Sequence, residues 1–503
     1  MKNLKELINL AFAKRSNEKP KGNYRSTQSE FEPIVGSNAG IKAPTHQDTS
    51  HIGAEERATG SAVGLGNIWK FPYMAGDNGG GAFVLIYLAC IFVIGIPIML
   101  GEIMIGRRGR SSPANTMRFL AKEAGTSQAW TLLGATGALA GLLILSFYSV
   151  AAGWAMAYVF GGFQETSAQA VNSEFDKFLA NPAALLFWHS LFIITTVVIV
   201  ARGILKGLEA WINTLMPALF VIIILLCIYA MQTGAFLEGL TYLFKPDFSK
   251  INSDVLLAAL GQAFFTLSLG MGAIMAYGAY MPADQNIGKT ALSVAALDTG
   301  VALLAGIAIF PIVFANGLEP TEGPGLVFVT LPIAFANMPL GVLFGTLFFI
   351  LLSIAALSSS ISLIEPGVAW VVESLKTKRS YAAMALGCFA WILGIFSALS
   401  FNLIKEFEIY EMTVFNFTDF LTSKIMLPMG GIFIAIFVGW VMKKEDILEE
   451  LKMREGVIFK SWYFVVRFIA PIMVGAVILN FLLPDHLKSK ASVFIQSILK
   501  LFI

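Results

Sequence analysis

Charge is scarce in this sequence. Asp, Glu, Lys and Arg make up 14% of its 503 residues, whereas 56% are hydrophobic. A water-soluble globule of that size could not cover its core with so little polar surface, so the composition makes the bilayer the solvent. Cysteine and histidine are scarcer still. Cys90, Cys227 and Cys388 lie apart inside apolar stretches with no CxxC spacing, which argues against a disulfide framework or a thiolate metal site and reads as core thiols. His46, His51, His189 and His486 are dispersed and form no nucleophile–base or metal-ligand pattern, so an enzyme is not expected. A net charge of only +2 gives no field for nucleic acid.

What the chain does have is apolar runs. A hydrocarbon core of about 30 Å takes roughly 20 helical residues, and about eleven runs qualify. They fall near 58–74, 82–105, 128–160, 184–201, 211–232, 254–281, 290–316, 340–373, 381–400, 419–442 and 463–483. The expectation is an all-α membrane protein. A polar segment occupies 1–53, a transmembrane domain 54–485 (spans one to five within 54–232, six to ten within 254–442, then span eleven), and a short tail 486–503. Met1 to Arg15 reads as an amphipathic helix lying on the membrane, too short in apolar core for a signal peptide.

Basic residues set the orientation. Arg107, Arg108, Arg110, Arg118 and Lys122 follow span two; Arg202 and Lys206 follow span four; Lys289 follows span six. Lys376, Lys378 and Arg379 follow span eight, and Lys443, Lys444, Lys452, Arg454 and Lys460 follow span ten. All these loops fall on one side, which the positive-inside rule makes cytoplasmic, with the amino terminus inside and the carboxyl terminus outside the plasma (inner) membrane.

Two spans carry glycine clusters: Gly60, Gly64 and Gly66 with Asn67 in span one, and Gly270 and Gly272 with Thr266 and Ser268 in span six. Glycine inside a helix costs about 1 kcal/mol relative to Ala. Glycines also let membrane helices pack closely, but two matched clusters five spans apart, each beside polar residues, point to two inverted five-helix repeats with discontinuous helices at a midplane site.

The runs SAVGLGNIWKFPY from Ser61 to Tyr73, NGGGAF from Asn78 to Phe83 and GQAFFTLSLGMG from Gly261 to Gly272 resemble the neurotransmitter:sodium symporter family, in its bacterial amino-acid branch with the LeuT-type fold. SFYSVAAGW from Ser146 to Trp154 and ALSSSISLIEP from Ala356 to Pro366 extend the resemblance over nearly all of the chain after residue 60. It implies a sodium-coupled symporter of neutral, hydrophobic or aromatic amino acids, with two sodium sites. The first sodium would meet the Ala62 carbonyl, Asn67, Thr266, Asp298 and the substrate carboxylate; the second, carbonyls of Gly60, Val63 and Ala355 and hydroxyls of Ser358 and Ser359. Chloride is not expected to be required, because Asp298 supplies fixed charge and Ala302 stands where chloride-dependent members carry Ser. Left to itself, Asp298 could also be a protonated acid bonded to a neighbouring helix, and the Ser358–Ser360 run could bond back to its own helix.

By the same resemblance the substrate carboxylate would meet the Leu65 and Gly66 N–H groups and the Tyr148 hydroxyl. The amine would face carbonyls of Ala62, Phe265 and Thr266 and the Ser268 hydroxyl. Ile144, Phe265, Met271, Ser359 and Leu363 would line the side-chain pocket, and Gly64, where monoamine carriers have Asp, favours a substrate that brings its own carboxylate. Lys70 and Asp419, with Gln262 nearby, would form the outer gate, although Lys70 could instead snorkel to the interface. Glu373 and Tyr280 match the inner gate, and Glu102 a buried acid beneath the break in span six.

The match stops upstream of Gly60. Read back without gaps, Thr45 stands at the family's gate arginine and Asp48 at its tryptophan, and Glu55, Glu56 and Arg57 enter the inner half of span one. Glu373 thereby loses its expected partner. A non-transporting amino-acid-binding paralogue, a leaky carrier, and a shifted reading frame upstream of residue 58 are the alternatives this segment raises.

Overall fold

A computed structural model describes residues 64–161, 167–202, 204–320, 325–337 and 339–482. The segment Met1 to Arg15, the atypical stretch 45–58, the expected ligands Gly60, Ala62 and Val63, and the tail 486–503 lie outside the described residues. Among the described residues the structure is helical, apart from one isolated bridge between Ile409 and Met412.

Helix α1 is Gly66–Lys70 continuing into Phe71–Asp77, with Pro72 tolerated in its first turn. Next come α2 (Gly81–Gly109), α3 (Pro113–Glu123), α4 (Gln128–Tyr158), α5 (Ala168–Leu179) and α6 (Pro182–Arg202). Then follow α7 (Ile204–Gln232), α8 (Phe236–Phe244), α9 (Ser253–Thr266), α10 (Ala273–Tyr280), α11 (Ile287–Ala315) and α12 (Leu326–Asn337). The last are α13 (Gly341–Leu375), α14 (Arg379–Leu399), α15 (Val414–Val441), α16 (Lys444–Leu451) and α17 (Val457–Leu479).

Every expected span coincides with a helix, counting α9 and α10 as the two halves of span six. Eight helices among the described residues are singly long and apolar enough to cross a membrane. Of the other three, span one is described only from Gly64, the halves of span six are each too short to cross alone, and α7, with Pro217 inside it, leads through a 115° bend into α8. Span three (α4) packs on span eight (α13), span four (α6) on span nine (α14), span two (α2) on span seven (α11), and α1 on α9. Each of these pairings joins an element to the one five spans along.

Span six breaks for a steric reason. The Asn252 side chain caps α9 by accepting the Asp254 and Val255 N–H groups, and the helix runs to Thr266. Ser268, Gly270 and Gly272 then take φ of +55°, +76° and +78° before α10 begins. A Cβ on Gly270 would lie 2.3 Å from the Leu427 carbonyl oxygen, so only glycine passes there. The Gly270 N–H donates to Glu102 Oε2 at 3.4 Å, and Glu102 is fully buried rather than snorkelling.

Three features differ from the sequence reading. Helices α3 and α5 occupy segments expected to be loops, and α12 is an apolar helix too short to span, with Phe328 and Phe335 fully buried. Cys388 is exposed on α14 and Cys227 half-buried, so only Cys90 is a core thiol; the membrane-facing side of a span is as apolar as its core, and hydropathy does not separate the two.

Candidate functional site

The start of α1, the break in span six and α11 bring Asn67, Thr266 and Asp298 together. Asn67 Oδ1 accepts the Gly64 N–H at 3.0 Å, and its amide donates to Asp298 Oδ1 at 2.7 Å, to the Asp298 carbonyl at 2.9 Å and to Thr266 Oγ1 at 3.1 Å. The Thr266 hydroxyl lies 3.0 Å from both carboxylate oxygens. Asn67, Thr266 and Asp298 are buried, and no lysine or arginine among the described residues pairs with Asp298. Hard oxygens around a buried carboxylate with no cationic side chain fit a small hard cation such as sodium.

Next to this cluster is a cavity of about 30 Å³ lined by Gly66, Ile144, Tyr148, Phe265, Thr266, Ser268, Met271, Ser359 and Leu363, all expected in the substrate site, together with Gly64 and Asn67. The Leu65 N–H lies 3.4 Å from the Tyr148 hydroxyl, at the start of α1. The Phe265 carbonyl accepts the Ser268 N–H at 3.1 Å, within the break. Gly64 permits the close approach of spans one and eight, since a Cβ there would fall 2.2 Å from Ser359 Oγ. Ile144, Phe265, Met271 and Leu363 give the cavity apolar walls.

Of the second expected sodium set, Ala355 and Ser358 are buried on α13 beside Ser359, and Gly60 and Val63 lie outside the described residues. Ser360 turns away: its hydroxyl bonds to Leu357 O at 2.8 Å and to Thr196 of α6 at 2.9 Å.

On one side of the cavity Lys70 pairs with Asp419 and donates to Ser423 Oγ at 2.9 Å, and its Nζ stands 3.9 Å from the centre of the Phe265 ring. At 1% exposure Lys70 is an enclosed pair member, not a snorkelling side chain. Trp154 packs against Trp69, the residue before Lys70, and against Phe328, Phe401 and Phe415. Gln262 has no bond to the Lys70–Asp419 pair among the described residues; its amide instead donates to the Gly66 carbonyl at 2.9 Å, tying span six to the first turn of α1.

On the other side, Tyr280 is 53% exposed beside Glu365, Arg379 and Glu373, and the Tyr277 hydroxyl meets Ser362 at 2.5 Å. Sequence reasoning missed three contacts there. Arg379 forks onto Glu365 and reaches the Val200 carbonyl at 2.8 Å. Arg107 pairs with Glu450 of α16 and donates to the Gln285 carbonyl at 2.7 Å. Glu373 accepts donors from Ser111, Ser112 and Asn115. Glu373 was expected at the inner gate but without these partners, and Arg107 and Arg379 were visible only as members of basic loops.

The sodium:neurotransmitter symporter family matches residues 57–176 and 179–494. An uncharacterised sodium-dependent transporter of Bacillus subtilis, YhdH, is 38% identical over 443 residues, covering 86% of this chain and 97% of its own. A second, from Haemophilus influenzae, is 35% identical over 432 residues, covering 84% and 94%. The crystal structure of MhsT in complex with L-phenylalanine superposes with a TM-score of 0.82 at 46% identity, covering 86% of this chain and 98% of that one. With its broken sixth span, its buried oxygen cluster and these likenesses along most of its length, the chain belongs to the sodium:neurotransmitter symporter family, as a sodium-dependent transporter of LeuT-type fold.

Proposed function

We propose that this chain imports neutral amino acids with a hydrophobic or aromatic side chain, by symport with sodium and alternating access. The observation that carries the reading is a shared wall: Asn67 and Thr266 belong at once to the cluster around Asp298 and to the lining of the apolar cavity. A cation held by that cluster touches the substrate carboxylate, so each raises the affinity of the other by the same factor. The L-phenylalanine in the MhsT complex supports the substrate class.

Each end of the substrate has its own partners. The carboxylate meets the N–H groups of Leu65 and Gly66 and the Tyr148 hydroxyl, at the positive end of α1. The amine meets the Ser268 hydroxyl and the carbonyls of Ala62, Phe265 and Thr266, and the side chain lies among Ile144, Phe265, Met271 and Leu363. A second sodium is held by Ala355, Ser358 and Ser359 with carbonyls of span one, and the fixed charge of Asp298 removes the need for chloride. Lys70 and Asp419 close the outer side. Rocking of spans one, two, six and seven then opens the site to the cytoplasm, the side of the Arg107 loop.

A second reading is binding without completed transport, favoured by one observation: the atypical segment 45–58 lies almost wholly before residue 57, where the family match begins. Proteoliposomes with an inward sodium gradient, offered a panel of labelled amino acids, separate the two. Sodium-driven accumulation of phenylalanine supports symport; sodium-dependent binding with no accumulation supports the second reading; uptake indifferent to sodium contradicts both.

A further inference from the structure

Span eleven, α17, has only two charged residues along its length, Lys460 and Arg467. A Cβ on Gly439 would lie 2.8 Å from Arg467 Cα, so spans ten and eleven touch there, four residues or roughly 6 Å inside Lys443. That depth puts Arg467 at the boundary between lipid chains and headgroups. The side is that of the Arg107 loop, because Arg107 pairs with Glu450 of α16, which joins the two spans.

The Arg467 guanidinium is stacked on rings but scarcely bonded. Its carbon stands 4.3 Å from the centre of the Trp440 ring, 5.6 Å from Phe468 and 5.7 Å from Tyr463. Backbone bonds fix two of these walls. Pro471 has no N–H to offer the Arg467 carbonyl, which accepts the Trp440 indole N–H at 3.0 Å, and the Tyr463 hydroxyl donates to the Gly439 carbonyl at 3.0 Å. Of the fork itself, only Nη1 has an acceptor among the described residues, the Tyr463 hydroxyl at 3.5 Å, and the buried Nε has none. No carboxylate among the described residues pairs with Arg467; Asp446, Glu450 and Glu455 of the adjoining loop are held by Arg108, Arg107 and Lys444. An arginine at this depth with donors to spare calls for an anion.

We propose that Arg467 and its aromatic walls form a site for one anionic phospholipid in the leaflet on the Arg107 side. The lipid phosphate takes the unfilled donors of the guanidinium fork, as charge-assisted hydrogen bonds. Lys443 and Lys460, both exposed and without an ion pair among the described residues, flank the rest of the headgroup nearer the water. The acyl chains run along the exposed apolar face of α17, over Phe468, Ile472 and Leu479. A free phosphate would leave that face uncovered, and the ring of Trp440, exposed beside the guanidinium, suits the headgroup level. The site lies apart from the cavity and rests on no part of the transport reading.

The test titrates the purified full chain in detergent with phosphatidylglycerol or phosphatidylcholine and counts bound lipid by native mass spectrometry. The parent should hold one phosphatidylglycerol roughly tenfold more tightly than Arg467→Gln does, with no such difference for phosphatidylcholine. Arg467→Lys, which keeps the charge but loses the fork, should fall between them. The pair Lys443→Gln and Lys460→Gln, both on the exposed surface, should weaken phosphatidylglycerol binding about fivefold, and it carries the test if Arg467→Gln fails to fold. Equal phosphatidylglycerol binding by the parent and these variants overturns the proposal, as does phosphatidylcholine held equally well by the parent. Displacement of the lipid by inorganic phosphate at equal concentration would mark a free-anion site and overturn it too. A shift from dimer to monomer in Arg467→Gln with lipid binding unchanged would give the face to a second copy of the chain instead.

Discussion

The Asn67 amide reaches Asp298 twice, at 2.7 Å on the carboxylate and 2.9 Å on the main-chain oxygen, joining the first turn of α1 to the middle of span seven. Asp298 is fully buried and Asn67 is 1% exposed, so neither group can turn to water for a replacement. That join ties the cation cluster to the cavity wall.

Asn67→Ala should therefore do more than remove one ligand. It orphans the Gly64 N–H, which donates to Asn67 Oδ1 at 3.0 Å, and strips the carboxylate of a donor. A loss of about 2 kcal/mol, or roughly thirtyfold more sodium for half-maximal phenylalanine binding, is expected. A sodium titration of binding checks it.

Asp298→Asn keeps the shape and removes the charge. The wild type should bind phenylalanine equally well in sodium chloride and sodium gluconate. The variant should weaken at least about tenfold in gluconate and recover part of that loss in chloride, because a buried cation then lacks a fixed counter-charge. Chloride dependence in the wild type would remove the role given to Asp298.

Tyr148→Phe deletes the hydroxyl that lies 3.4 Å from the Leu65 N–H. Losing one hydrogen bond of about 1–1.5 kcal/mol to the substrate carboxylate should raise KM for phenylalanine roughly tenfold at nearly constant maximal rate. Initial-rate uptake over a range of phenylalanine concentrations gives the split.

Gly64→Ala puts a Cβ 2.2 Å from Ser359 Oγ and 3.4 Å from the Tyr148 hydroxyl. The chain should still fold, since most of its packing is elsewhere, but phenylalanine binding should be lost as spans one and eight are pushed apart. Thermal unfolding and binding on the same sample check both halves.

The spans were legible because bilayer thickness imposes a length that hydropathy can count, and the break in span six because glycine beside polar residues at that depth has few other uses. Helix α12 was not legible: Leu326–Asn337 is apolar but too short to cross, so length counted against it. The cavity residues were readable from the motifs that carry them. The bond from Gln262 to Gly66 and the engagement of Glu373 were not, because side-chain direction at a broken helix and contacts across some 260 residues of sequence leave no periodic trace.

The most direct measurement is accumulation of labelled phenylalanine in proteoliposomes under an imposed inward sodium gradient, with and without Asn67→Ala. The account predicts concentrative uptake that stops when sodium is equal on both sides or replaced by choline, and that the substitution removes. Equal uptake in sodium and choline, or uptake that survives Asn67→Ala unchanged, would contradict it.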